Sequence, residues 1–239
     1  MTLDVCSDDY FILADTANVN SEADMNHKPA RCAAGILLVF GLSSLGAYAH
    51  PHSFISLKTT PVVEQGQLTG LKMQWLMDEL TSADLLYDAG DAKPDSPVWK
   101  KLAAEVMANV LGQHYFTEIW QQGKKVKFTA QPPEYRLERV EHQAMLSFVL
   151  PLAKPQPLQG ASFQFSTFDP SFYVDMTYIE DSDAFLSSEL ATRCHISVLT
   201  PEPSEEMLEF AASLDKDDAP PEDMALGQQF AQKVTLQCQ

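Results

Sequence analysis

A mostly apolar run from Ala33 to Gly46, closed by Ala47-Tyr48-Ala49, decides which residues of this chain can fold together. His27, Lys28 and Arg31 stand before the run as a basic lead, and alanines fill the −3 and −1 positions of a signal-peptidase site. This is the layout of a secretory signal that opens at Met25. The run is shorter than the about 20 apolar residues a comfortable membrane span needs, and no later stretch approaches that length. Residues 1–24 are polar and acidic and fit no part of a signal, so they read as an extension ahead of the true start. The expected organisation is an extension over 1–24, a signal peptide over 25–49, and an exported domain over 50–239.

On that division Cys6 and Cys32 leave with the N-terminal segment, and Cys194 and Cys238 remain. Two cysteines in an oxidising compartment read as one disulfide that ties the last strand back to an earlier one. A metal-ligating Cys194/His195 pair is the other reading. The about 190 residues from His50 onward are enough for one domain with a substantial core. Setting aside Lys28, Arg31 and the six acids before His50 leaves 14 Lys+Arg against 27 Asp+Glu, a balance of −13. Bulk acidity of this size argues against nucleic acid or an anionic membrane face as partner. It suits a solvated surface, or a protein that handles cations.

Alternation over His52–Lys58 predicts a strand that puts His50, His52 and Phe54 on one side. Glu64-Gln65-Gly66-Gln67 is a turn. Thr69–Asp78 is a second strand, with Leu71, Met73, Trp75 and Met77 on one face, so a hairpin would bring His50 and Asp78 together. A short helix over Glu79–Tyr87 and a loop over Ala89–Asp95 follow. Pro97 after Ser96 starts a longer helix whose apolar stripe is Val98, Leu102, Val106 and Val110, ending at Gly112. Strands are expected at 115–121, 124–130, 134–141 and 143–150. Pro151–Gly160 is too rich in proline for a central strand and reads as a connection. Further strands are expected at Ala161–Thr167, Ser171–Glu180, Cys194–Leu199 and Lys233–Cys238. The acidic stretch Pro201–Asp223 holds an amphipathic helix, and a second short helix carries Leu226 and Phe230. The fold class is α+β: a strand-rich, mostly antiparallel single domain with one long inserted helix and short C-terminal helices.

A cut after Ala49 would leave an α-amine and the imidazoles of His50 and His52 within three residues, a compact nitrogen donor set for a transition metal. The amine has a pKa of about 8 and loses its proton at little cost. Pro51 has no backbone N–H, which blocks square-planar Cu(II) binding through deprotonated amides. Tetrahedral or irregular, zinc-like coordination is favoured, while a copper-binding histidine brace stays open. Two exposed histidines at a frayed terminus is the bland alternative. Asp78-Glu79 is the best local source of oxygen ligands, and Asp78 is equally well placed to cap the helix that follows. Asp169, in Phe168-Asp169-Pro170, is a ligand candidate or a turn former. His114, His142 and His195 read as structural. Asp84, Asp88, Asp91 and Asp95 do not keep EF-hand register. No Gly-rich phosphate loop, nucleophile elbow or HExxH is present, so no enzyme is expected.

The motifs His50-Pro51-His52-Ser53-Phe54-Ile55, Trp75-Leu76-Met77-Asp78-Glu79, Tyr115-Phe116-Thr117, Phe168-Asp169-Pro170-Ser171-Phe172-Tyr173 and the late Cys194 follow one another along the chain. In this set and order the chain resembles a bacterial domain-of-unknown-function family. That family is described as the periplasmic component of an uncharacterised ABC-type transport system, and it includes a zinc transporter's binding subunit. The resemblance implies an exported protein that works beside an inner-membrane metal permease of nickel/cobalt type, with Zn2+ as cargo and Ni2+, Co2+ or Cu2+ as the other candidates. It carries over His50, His52, Asp78 and Asp169 as candidate ligands. Ser56 departs from the family pattern, which often has Asp there, and the aspartates of 84–95 depart from members that look calcium-binding. Two other function classes stay open: a copper enzyme of the histidine-brace kind, and a metal-free assembly factor for a permease.

Overall fold

Strand β1 (Ser53–Glu64) and strand β2 (Gln67–Met77) form the predicted hairpin, longer at the turn and one residue shorter at the open end than the alternation alone indicates. Gln65 and Gly66 carry φ of 49° and 76°, the pair of positive values that a two-residue hairpin turn requires. Leu71, Met73 and Trp75 are fully buried, so the period-two reading of β2 holds. This computed structural model describes residues 51–214, 218, 220–221 and 224–239, all within one compact unit. The expectations for residues 1–49 lie outside the described residues.

The remaining elements are α1 (Glu79–Ala89), α2 (Pro97–Gly112), β3 (Thr117–Gln121), β4 (Lys124–Val126), β5 (Tyr135–Val140), β6 (Gln143–Pro157), β7 (Ser162–Thr167), β8 (Val174–Thr177), β9 (Cys194–Leu199), α3 (Glu205–Ser213), α4 (Leu226–Phe230) and β10 (Lys233–Cys238). They build two five-stranded sheets, in the orders β5-β6-β2-β1-β8 and β4-β3-β7-β10-β9. Every pairing is antiparallel except β1 with β8, and the α+β class read from the sequence is the one observed. Leu57, Trp75 and Phe148 of the first sheet and Ile119, Phe163, Phe165 and Leu236 of the second belong to one continuous apolar core. At its centre Trp75 meets Phe148 edge to face, with ring centroids 5.0 Å apart.

Three expectations fail for identifiable reasons. Strand β6 does not stop at Leu150 but runs through the prolines to Pro157. Its partner β5 covers only Gln143–Phe148, so the later prolines face a side with no β5 ladder to break. A bulge against β2 absorbs the extra residues, between the pairs Gly70–Pro151 and Leu68–Gln156. Gly70 permits the close approach, since a Cβ there would lie 2.7 Å from the Leu150 carbonyl oxygen. The strand expected over Ser171–Glu180 is only Val174–Thr177, because Asp169–Phe172 is a tight turn with φ of 60° at Phe172. On α2 the buried face is Trp99, Leu102, Ala103, Met107 and Val110, while Val98 is exposed. Trp99 wins that place because its indole N–H donates to the Ala92 carbonyl, 3.1 Å away.

The ends of α1 are closed from different parts of the chain. Asp78 caps its N-terminus. Its last turn has no basic residue of its own, and Arg139 on β5 supplies the charge by donating to the carbonyls of Leu86 and Gly90, each at 3.1 Å. At the other end of the chain, α3 and α4 bury Ala211, Leu214 and Leu226 against Phe172 in a second, smaller cluster. Phe172 and Phe230 stack at 3.9 Å. Cys194 and Cys238 are opposite each other in the β9–β10 pair and form a disulfide, the pairing expected from the cysteine count.

Candidate metal centre

The first residues of β1 are held by three neighbours. On one side the backbone N–H groups of His52 and Ser53 donate to the Tyr173 carbonyl, at 2.9 and 3.3 Å. On the other, Phe54 and Asp78 exchange two bonds: the Asp78 N–H donates to the Phe54 carbonyl at 2.9 Å, and the Phe54 N–H donates to Asp78 Oδ2 at 2.7 Å. Beneath, the buried Ser53 hydroxyl bonds the Thr81 hydroxyl at 2.7 Å. The imidazole of His52 is half-buried beside the Tyr173 ring, with centroids 4.8 Å apart.

Asp78 is first a structural residue. Oδ1 accepts from the Thr81 N–H at 2.8 Å, and Oδ2 accepts from the Thr81 hydroxyl at 2.6 Å as well as from Phe54. Burial by itself would raise its pKa. The Thr81 side chain and the N–H groups of Thr81, Phe54 and Leu80 together outweigh burial and hold the carboxyl below the ordinary value of 3.8. A depressed pKa makes this cap's contribution complete above pH 3.8 and lost as pH falls through the lower, folded value. Asp78→Ala is therefore expected to cost about 1–2 kcal/mol at neutral pH. In urea melts across pH, the gap between Asp78→Ala and wild type should close on acidification below 3.8. A gap that persists unchanged in acid would show that the loss is not that of a charged cap.

Asp169 spends its oxygens on the turn that follows it. Oδ1 accepts from the N–H and hydroxyl of Ser171, and Oδ2 accepts from that hydroxyl and from the Val174 N–H, all between 2.9 and 3.0 Å. The single Ser171 hydroxyl proton is shared between the two oxygens, so three donors fill three of the four acceptor sites of the carboxylate. This turn aims the Tyr173 carbonyl at His52. Glu79 lies exposed on the first turn of α1 with no side-chain hydrogen bond to the described residues. His50 lies outside the described residues.

One carboxylate escapes the sequence reading. Asp175 sits opposite Phe54 in the parallel β1–β8 pair, on the outward side shared by His52 and Phe54. Burial, only partly offset by a 3.2 Å bond from the Thr177 hydroxyl, raises its pKa. Its sequence signal is the alternation of Tyr173, Asp175 and Thr177, which gives its side but not the strand beside it. The fold thus brings His52, Asp78 and Asp175 to one end of the first sheet, with Asp169 anchoring the turn behind them. Among the described residues, no three His, Cys, Asp or Glu side chains stand close enough to hold a metal ion without a further donor.

The class these features define is a strand-rich α+β domain with His52, Asp78 and Asp175 at the end of the sheet where its first strand begins. Among the described residues no helix is long and apolar enough to cross a membrane. The chain belongs to the family described as "Protein of unknown function (DUF1007)", which it matches over residues 35–238. It is 38% identical over 204 residues to an uncharacterized protein of Haemophilus influenzae, a match covering 84% of this chain and 98% of that protein. No solved structure matches.

Proposed function

We propose that the protein is a periplasmic zinc-binding subunit that supplies metal to an inner-membrane permease of nickel/cobalt type. His50 would contribute its α-amine and imidazole, and His52 its imidazole. Asp175 and the remaining lone pair of Asp78 would offer oxygen. Asp169, whose oxygens take three donors, would chiefly position the site, and Glu79, exposed next to Asp78 in the chain, would be a further oxygen donor. Delivery of an ion needs no bond-breaking step, so no catalytic group is assigned.

The observation that supports this reading most is the anchoring of His52 and Phe54 through their backbone. A binding terminus must be stationary to select an ion. Two residues of chain span at most about 7 Å, so donors on residue 50 and on His52 can serve one ion. Mixed nitrogen and carboxylate donors suit Zn2+, and Ni2+, Co2+ and Cu2+ would compete at the same atoms.

The test is a competitive zinc titration of two purified forms, one starting at His50 and one with a single extra residue before it. The extra residue is expected to cost tenfold or more in affinity, about 1.4 kcal/mol. Equal binding by both forms would remove the amine from the site. No binding by either would end the metal reading and favour an assembly factor.

A further inference from the structure

Four lysines of this acidic chain gather at one groove. Lys124 and Lys125 come from edge strand β4, Lys127 follows it, and Lys154 comes from β6 of the other sheet. The two segments are joined where the Ala153 N–H donates to the Lys127 carbonyl at 2.7 Å and where Phe128 pairs with Leu152. The groove has a volume of about 630 Å³, and its other polar lining is the side chains of Gln121, Gln122 and Gln156. No carboxylate lines it, although Asp and Glu outnumber Lys and Arg 33 to 16 in the whole chain. All four lysines are exposed. Lys125 pairs with Glu118 and lies over the Trp120 ring, 5.8 Å from its centroid. The other three have no ion pair among the described residues.

Lysines on an edge strand commonly do no more than discourage strand-to-strand aggregation. That accounts for Lys124 and Lys125 but not for Lys127, beyond the strand, or Lys154, from another sheet. Trp120, on the neighbouring strand β3, is 39% exposed, whereas Trp75 and Trp99 are 1% and 4% exposed. Four lysines and three glutamines in one lining, with only Lys125 ion-paired among the described residues, and an exposed indole on the next strand form a recognition set for a sheet of phosphate headgroups. Lysines meet the phosphates, amides donate to their oxygens, and indoles favour the headgroup level. We infer that this groove is a docking surface for an anionic phospholipid bilayer. The net negative charge of the chain does not forbid it, because salt screens charges more than about 8–10 Å from the contact. The inference stands independently of the metal reading.

The test is co-sedimentation of the purified full protein with phosphatidylcholine vesicles, with and without about one-third phosphatidylglycerol. Wild type should partition to the anionic vesicles alone, and added salt should release it. Lys124→Gln/Lys127→Gln/Lys154→Gln should weaken partitioning about tenfold or more. Lys93→Gln/Lys100→Gln/Lys101→Gln, with the same charge change elsewhere on the surface, should alter it less than about twofold. Thermal melts should show both variants folded. A blue shift of fluorescence on vesicle binding should vanish in Trp120→Phe. Equal partitioning to both vesicle types, or equal loss in the two triple variants, would overturn the inference.

Discussion

Gly227→Ala should unfold the protein at a temperature well below wild type, while Gly112→Ala should match or slightly exceed it. A Cβ on Gly227 would lie 1.7 Å from the Asp169 carbonyl oxygen and 2.8 Å from its carbonyl carbon. Both are backbone atoms, so no rotamer change relieves the overlap. Helix α4 cannot simply slide away, because the Gly227 N–H donates to the Pro170 carbonyl at 3.0 Å and Phe230 stacks on Phe172. The expected loss is about 3 kcal/mol, at the upper end for overpacking. For a chain of this size that is a fall of about 6–12 °C in Tm. Gly112 ends α2, and a Cβ there would meet nothing within 4 Å, so alanine gains up to about 1 kcal/mol from helix propensity. The effect of Gly227→Ala should also reach the candidate site, since the loop that Gly227 clamps carries the Tyr173 carbonyl that holds His52. Equal melting of Gly227→Ala and wild type would show that α4 does not sit on that loop in solution.

Removing the disulfide should have the other large effect. The bridge joins residues 44 apart, and the chain-entropy model assigns such a loop about 4 kcal/mol. It also fastens an edge: among the described residues β9 pairs with β10 alone. Cys194→Ala/Cys238→Ala should lower the urea midpoint accordingly, and wild type in strong reductant should fall to the same value. If the double variant lost less than about 1 kcal/mol, β9 would be held by its ladder and side-chain packing alone.

What the sequence discloses depends on whether the signal is local. Leu71, Met73, Trp75 and Met77 announce β2 by their period, and Ser96-Pro97 announces the start of α2. The limits of β9 are also legible, because Pro201 stands just past its short run. Strand β6 misleads because proline is excluded by its neighbour, and which neighbour lies alongside is a property of the sheet. Trp99 displaces Val98 from the buried stripe through one indole hydrogen bond that periodicity does not weigh. In the candidate site, the closeness of Asp78 to the start of β1 follows from the hairpin. That of Asp175 does not, because its place depends on a parallel neighbour far along the chain. The lysine groove is hidden in another way: a whole-chain charge averages over a patch drawn from two sheets.

That parallel pair also bears on how the chain acquires its fold. Strand β1 finds β2 at once through a two-residue turn, but its other edge waits for β8, where Ser53 meets Val174. A central strand that stays half-paired until about 120 further residues exist gives the topology many long-range closures, and such chains fold slowly, on the order of milliseconds to seconds. The first sheet therefore cannot be completed before Thr177 has emerged. Until then the β1 edge stays open to any other strand, and the order of the strands alone decides how long that exposure lasts.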